Sequence, residues 1–210
     1  MVIKSVYYNQ EELIKSIIDL HIKDNIEVDT TYSKGNFYKN DTVNEPIYKF
    51  DKFPINDTIL HLEDVLPFEN NSINSIMFDP PFVISKGKSL DNTVDGQNII
   101  SNRFSYFESP KELFNCYTNN MIEYYRVLKE RGFLIFKCQD TVSSGKNYFT
   151  HVWIMNKALE IGFYPKDLFI LVAKNRVISG KHKNQQHARK YHSYFWVLEK
   201  IKSKINYNNF

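Results

Sequence analysis

The stretch SINSIMFDPPFVIS, residues 72–85, places an acid, two prolines and an aromatic ring at the end of an apolar run: Asp79, Pro80, Pro81 and Phe82. Proline cannot donate to a sheet ladder and stops a strand where it stands, so Asp79 is expected at the carboxyl end of a strand over 72–78. Open α/β sheets hold their ligands at that edge. The four residues suit one kind of chemistry. An exocyclic amino group of a nucleobase is a poor nucleophile, because its lone pair is delocalised into the ring. A site that accepts both amino hydrogens draws the nitrogen towards tetrahedral geometry and frees that pair. Asp79 offers a carboxylate acceptor, and the stiff Pro80–Pro81 pair holds the Pro80 carbonyl as a second. Phe82 offers a face on which an extruded base stacks, a contact worth roughly 1–3 kcal/mol. A methyl donor in line with the nitrogen then suffices, with no metal and no covalent intermediate.

The surrounding pattern is that of elements able to position such an edge. Apolar residues at 13, 14, 17, 18, 20 and 22 predict a helix over 9–23. A long amphipathic helix is predicted over 110–130, opened by Pro110 and stopped by Gly132, and another over 148–162 with Gly162 at its end. Strands are expected at 25–32, 46–50, 57–62, 72–78, 132–138, 166–174 and 191–200. Several are apolar enough to be buried on both faces, and helices alternate with strands in the second half. The chain therefore reads as α/β, a doubly wound, mostly parallel seven-stranded sheet with one antiparallel strand. Its 210 residues suit one domain, without a separate target-recognition domain.

Charge is uneven. The net formal charge is only +3, but nine Lys or Arg and a single acid, Glu199, fall between Lys174 and Lys204. That end is expected to meet phosphates, with His187, Arg189 and Lys190 as contacts and Lys86 and Lys88 as a basic loop over the base. The histidines at 182, 187 and 192 do not make a convincing metal spacing. Two unpaired cysteines, Cys116 and Cys138, and the lack of a leader or membrane-spanning run point to a reduced, cytoplasmic protein. Cys138 is expected as a small buried hydrophobe. Lys137, Gln139 and Asp140 fall at the same sheet edge as Asp79, where they shape the target pocket.

Asp-Pro-Pro-Phe after an apolar strand resembles the signature of the amino-group DNA methyltransferases, which act on adenine N6 or cytosine N4 with S-adenosylmethionine. EVDTTYSKGNFY (27–38) is similar to that family's first motif, and HLEDVLPF (61–68) to the segment whose acid faces the cofactor's adenine. FKCQDTVSSGK (136–146) and QHARKYHSYFWVLEK (186–200) look like segments of its small phage- and prophage-type members, some of which belong to restriction–modification pairs. The resemblance spans nearly the whole chain and implies a Rossmann-like class I methyltransferase fold. It implies Asp29 and Gly35 in the cofactor loop, Thr31 and Tyr32 lining the amino-acid pocket, Asp51 on the ribose hydroxyls and Asp64 near the adenine. It also implies catalytic roles for Asp79, Pro80, Pro81 and Phe82. The first motif has one glycine, Gly35, where larger members have two or three, and phenylalanine stands where tyrosine is commoner. The expected partner is nucleic acid, with double-stranded DNA first and RNA as the alternative. A catalytically silent nucleic-acid-binding subunit is the rival of another class. With little chain free for recognition, a short or degenerate site is expected, or a homodimer that widens the contact surface.

Overall fold

The structure, a computed structural model, describes residues 2–40, 42–84, 107–173 and 186–201. Lys86 and Lys88 lie outside the described residues, as do positions 174–185 of the basic stretch. The apolar run ending at Asp79 forms strand β5, Ile73–Phe78, buried at every position but Asn74. Such two-sided burial belongs to an interior parallel strand. On one side β5 pairs in parallel with β2, Val28–Asp29, which is followed outward by β3, Tyr48–Asp51, and β4, Leu60–His61. On the other side it pairs in parallel with β6, Leu128–Cys138. Beyond β6 lies β10, His192–Glu199, antiparallel both to β6 and to β9, Tyr164–Val172. The reversed strand and the closing antiparallel pair are thus as expected.

Among the described residues the sheet has eight strands rather than seven. The addition is β1, Val6–Tyr7, a two-residue edge strand parallel to β9. A two-residue segment is too short to show a periodicity. A second unforeseen element follows β6: β7, Thr141–Ser143, and β8, Lys146–Tyr148, form a separate hairpin. Its tip, Ser144 and Gly145, has positive φ at both residues (50° and 72°), the twist-matched form of a two-residue turn.

Helices cover both faces. Helix α1, Gln10–Ile17, continues as a π-helical turn to Ile22 and buries Leu13, Ile14 and Ile17 against Met77, Ile135, Phe169, Phe195 and Val197. Asn9 caps it by accepting from the Glu11 and Glu12 amides. On the other face lie α2, Pro110–Val127, and α3, Thr150–Ile161, packed on Phe78, Phe136 and Leu134. The buried stripe of α2 is Leu113, Tyr117, Met121, Tyr124 and Val127. Among the described residues the β2–β3 and β3–β4 connections carry no helix.

Gly132 does not stop α2. The helix ends at Val127, and Leu128 already belongs to β6. Gly132 sits where the β5–β6 register shifts, and a Cβ there would stand 2.9 Å from the Lys129 carbonyl and 3.0 Å from that of Asn74. Its smallness serves a bulge, not a cap. Gly162 does end α3 as expected, in the left-handed region at φ 116°.

Candidate active site

The chain leaves β5 at Asp79, and three contacts fix its position. The Asp79 amide donates to Thr31 Oγ1 at 2.7 Å. Lys137 Nζ, on the neighbouring strand β6, donates to Asp79 Oδ2 at 2.8 Å. The Pro81 carbonyl accepts from the hydroxyl of the fully buried Tyr117 at 2.8 Å. Phe82 is half-buried. Lys137 reaches this place because Phe78 pairs with Phe136, so the next residue of each strand faces the other at the sheet edge. Its Nζ lies over the rings of Phe37 and Phe195, 5.1 Å and 5.6 Å from their centroids, and also reaches Gln10 Oε1 at 3.3 Å.

Beside this motif the chain turns sharply after β2. Asp29 is fully buried. Its Oδ1 accepts from the Thr31 amide at 2.8 Å and the Thr31 hydroxyl at 3.3 Å, and its Oδ2 accepts from the Tyr38 hydroxyl at 2.8 Å. Burial pushes its carboxyl up to about 7; the bonds from Thr31 and Tyr38 oppose this, and the nearby Asp79 charge adds to it. Burial and the Asp29 charge likewise push the Tyr38 hydroxyl well up. Thr31 thus joins the two acids, holding Asp29 with its donors while accepting from the Asp79 amide.

The rest of the loop stacks on Tyr38. Tyr32 lies nearly parallel to it, with ring centroids 5.7 Å apart at 9°, and donates to Glu45 Oε1 at 2.6 Å. Gly35 passes beneath the Tyr32 ring at φ 61°, where a Cβ would stand 2.5 Å from Tyr32 Oη. Both the backbone angle and the approach require glycine. Asp51, at the end of β3, accepts from the Ser33 amide at 2.9 Å through Oδ2 and from the Phe53 amide at 2.8 Å through Oδ1. Each oxygen keeps a lone pair for a ligand. Asp64 stands apart from these, exposed beyond β4.

Asp29, Asp51 and Asp79 therefore lie at the same edge of three adjacent strands, two of them tied together through Thr31. Two acids flanking a tight glycine turn suit a ligand with a cationic group and a diol, and an ammonium near Asp29 would offset the burial that pushes its carboxyl up.

On the other side of Asp79, Gln139 and Asp140 follow β6. Gln139 Nε2 donates to the His192 carbonyl at 2.8 Å. Asp140 lies 2.7 Å from His151 Nδ1, and the His151 ring stacks on Tyr194 with centroids 4.1 Å apart. Burial and the Asp140 charge push the Tyr194 hydroxyl up to about 12. His187 Nε2 lies 2.9 Å from the Gly145 carbonyl, which sets the basic segment against the β7–β8 tip; Arg189 is exposed and Lys190 half-buried. Cys138 is fully buried, as its sequence context implies. No group of three or more metal-ligating side chains occurs among the described residues.

Sequence reasoning missed the tyrosines. Tyr117 and Tyr124 read as core packing, yet their hydroxyls reach Pro81 and Thr30. The signal that could have found them was the phenol itself, which when buried needs a partner. The sequence brings Lys137 to the pocket but does not pair it with Asp79.

No family model matches the chain, and no curated protein matches it. Solved structures do. The Burkholderia thailandensis 1,6-didemethyltoxoflavin-N1-methyltransferase, bound to 1,6-didemethyltoxoflavin and S-adenosylhomocysteine, aligns at a TM-score of 0.54 with 8% identity, over 92% of this chain and 79% of that one. The fold is that of a class I methyltransferase. The cytosine-N4-specific PvuII DNA methyltransferase aligns at 0.47 with 13% identity, over 65% of this chain and 45% of that one. A candidate DNA modification methylase from Thermus thermophilus aligns at 0.43 with 15% identity, over 67% and 51%. The chain spans about half the length of these two DNA methylases. In the class I methyltransferase fold seen here, Asp29, Asp51 and Asp79 all end parallel strands at the edge where such sheets hold ligands. No helix among the described residues is long and apolar enough to cross a membrane.

Proposed function

We propose that this chain is an S-adenosylmethionine-dependent methyltransferase that modifies an exocyclic amino nitrogen of a nucleobase, with N6 of adenine in DNA as the leading target. One observation carries the reading: Asp79 of an Asp-Pro-Pro-Phe run is anchored by Lys137 and Thr31 beside the glycine turn that follows β2. Amino-group chemistry at the C-terminal edge of this fold is supported by that juxtaposition and by the family resemblance of the motif.

Each residue has a task. The loop Asp29–Gly35, with Thr31 and Tyr32, would hold the amino-acid part of S-adenosylmethionine, Asp51 its ribose hydroxyls and Asp64 the side of its adenine. When bound, that cofactor supplies a methyl group on a sulfonium, whose sulfur keeps the electron pair when the carbon leaves. Lys137 occupies Asp79 Oδ2, which leaves Oδ1 to accept from the target amino group. The Pro80 carbonyl accepts the second amino hydrogen, and Phe82 stacks on the base. As the new nitrogen–carbon bond forms, the nitrogen sheds one of its two hydrogens as a proton towards the Asp79 carboxylate. Hydrogen bonding to the amino group, preorganised by Tyr117 behind Pro81, provides the rate enhancement. Arg189 and Lys190 meet the phosphates.

Purified protein incubated with methyl-labelled S-adenosylmethionine and duplex DNA, single-stranded DNA or RNA tests the reading. Label is expected in duplex DNA and lost in Asp79→Ala. Label confined to RNA would move the target to RNA, and no label on any nucleic acid would overturn the activity.

A further inference from the structure

The β7–β8 hairpin has no part in the site described above, yet it is fastened to it. Tyr148, the last residue of β8, packs against Phe114 of α2 with ring centroids 6.2 Å apart, and Trp153 of α3 closes on the same ring at 4.4 Å. Phe114 lies one turn before Tyr117, the residue that holds the Pro81 carbonyl. At the other end, His187 of the basic segment meets the hairpin tip at the Gly145 carbonyl. The hairpin is thus held between the catalytic motif at its root and the basic segment at its tip.

Its exposed surface is the wrong kind for solvent alone. Val142 is 40% and Phe149 57% exposed, Lys146 is exposed beside the tip, and residues 141–149 contain no acid. A Cβ at Gly145 would meet nothing within 4 Å, so that side of the tip is open, while its carbonyl faces His187. An exposed cation and an exposed aromatic ring on one acid-free element suit a polyanion that also carries flat apolar faces, which is a nucleic acid.

We propose that the β7–β8 hairpin, with Phe149 at its root, is a nucleic-acid contact element seated beside the target base: Lys146 meets a backbone phosphate and Phe149 packs against a base next to the extruded one. This rests on the nucleobase reading above.

The test uses the full chain, a fluorescently labelled short duplex, and anisotropy over a range of salt concentrations. Lys146→Gln removes one phosphate contact and should reduce the slope of log K against log salt by about 0.9. Phe149→Ser should weaken binding by about tenfold with the slope unchanged. Phe149 occupies the N-cap of α3 and makes no side-chain cap bond, so serine there improves the cap and the variant should fold. Wild-type binding that neither variant alters would overturn the hairpin's role while leaving the nucleobase reading standing. Wild-type protein that binds neither this duplex nor its single strands would overturn both. If either variant instead changes the sedimentation of the free protein, the hairpin serves self-association, and the proposal is wrong.

Discussion

Replacing Lys137 by methionine keeps an unbranched apolar side chain beside the rings of Phe37 and Phe195 while deleting the charge that faces Asp79. The bond lost is a charge-assisted one of 2.8 Å between side chains that are 13% and 21% exposed, well below the exposure at which solvent screening dominates. Hydrogen bonds to charged groups contribute about 1.5–3 kcal/mol, and the carboxylate left behind loses its partner as well. Water can reach the open edge of Asp79 and offset part of this, so a loss of about 2 kcal/mol is expected. For a chain of this size that lowers the melting temperature by about 4–8 °C. A double-mutant cycle isolates the pair: Lys137→Met, Asp79→Asn and the double variant, followed by thermal or urea unfolding. The single losses should not add, with a coupling of roughly 1–2 kcal/mol. Additivity within about 0.5 kcal/mol would show that the two side chains do not depend on one another and would refute the anchoring of Asp79.

Three further outcomes follow from the same geometry. Asp29 keeps a proton in the folded state up to about pH 7 while its unfolded value is 3.8, so folding binds a proton between those limits and stability falls as pH rises through them. Asp29→Asn should flatten that part of a stability-against-pH curve, and an unchanged slope would assign the dependence elsewhere. Tyr117→Phe strips the Pro81 carbonyl of its donor and should cost about 1–2 kcal/mol, slowing methyl transfer while calorimetry shows cofactor affinity intact; a wild-type rate would remove Tyr117 from the site. Gly35→Ala forces a Cβ against Tyr32 at positive φ and should destabilise by about 1–2 kcal/mol and weaken S-adenosylmethionine binding, whereas unaltered affinity would separate this turn from the cofactor.

The middle of the sheet and its edge were legible in the sequence for a physical reason. An apolar run closed by Asp79 and two prolines allows few structures other than a buried strand with a charged end. The reversal of β10 also followed, because two apolar strands joined by a basic stretch with no helix read between them suggest an antiparallel pair. What escaped was decided by contacts distant in sequence. Leu128, Lys129, Glu130 and Arg131 are acceptable helix residues, but Leu128 pairs with Ile73 of β5, and Lys200 donates to the Leu128 carbonyl at 2.7 Å and accepts from the Arg131 amide at 2.8 Å, which draws the segment into β6. The Lys137–Asp79 pair spans 58 residues and depends on strand register. The hairpin's strands, Thr141–Ser143 and Lys146–Tyr148, are too short and too polar to alternate. Asp29 reads as a loop residue, but its complete burial under Tyr38 was beyond what a charged residue among polar neighbours could announce.

The most direct test of the central claim is nucleoside mass spectrometry on DNA from a methylation-deficient host expressing the wild-type chain or Asp79→Ala. N6-methyladenine is expected with the wild type and none with the variant. N4-methylcytosine in its place would keep the chemistry and correct the base. Neither modified nucleoside in DNA from cells that contain folded protein would contradict the assignment of DNA as the substrate.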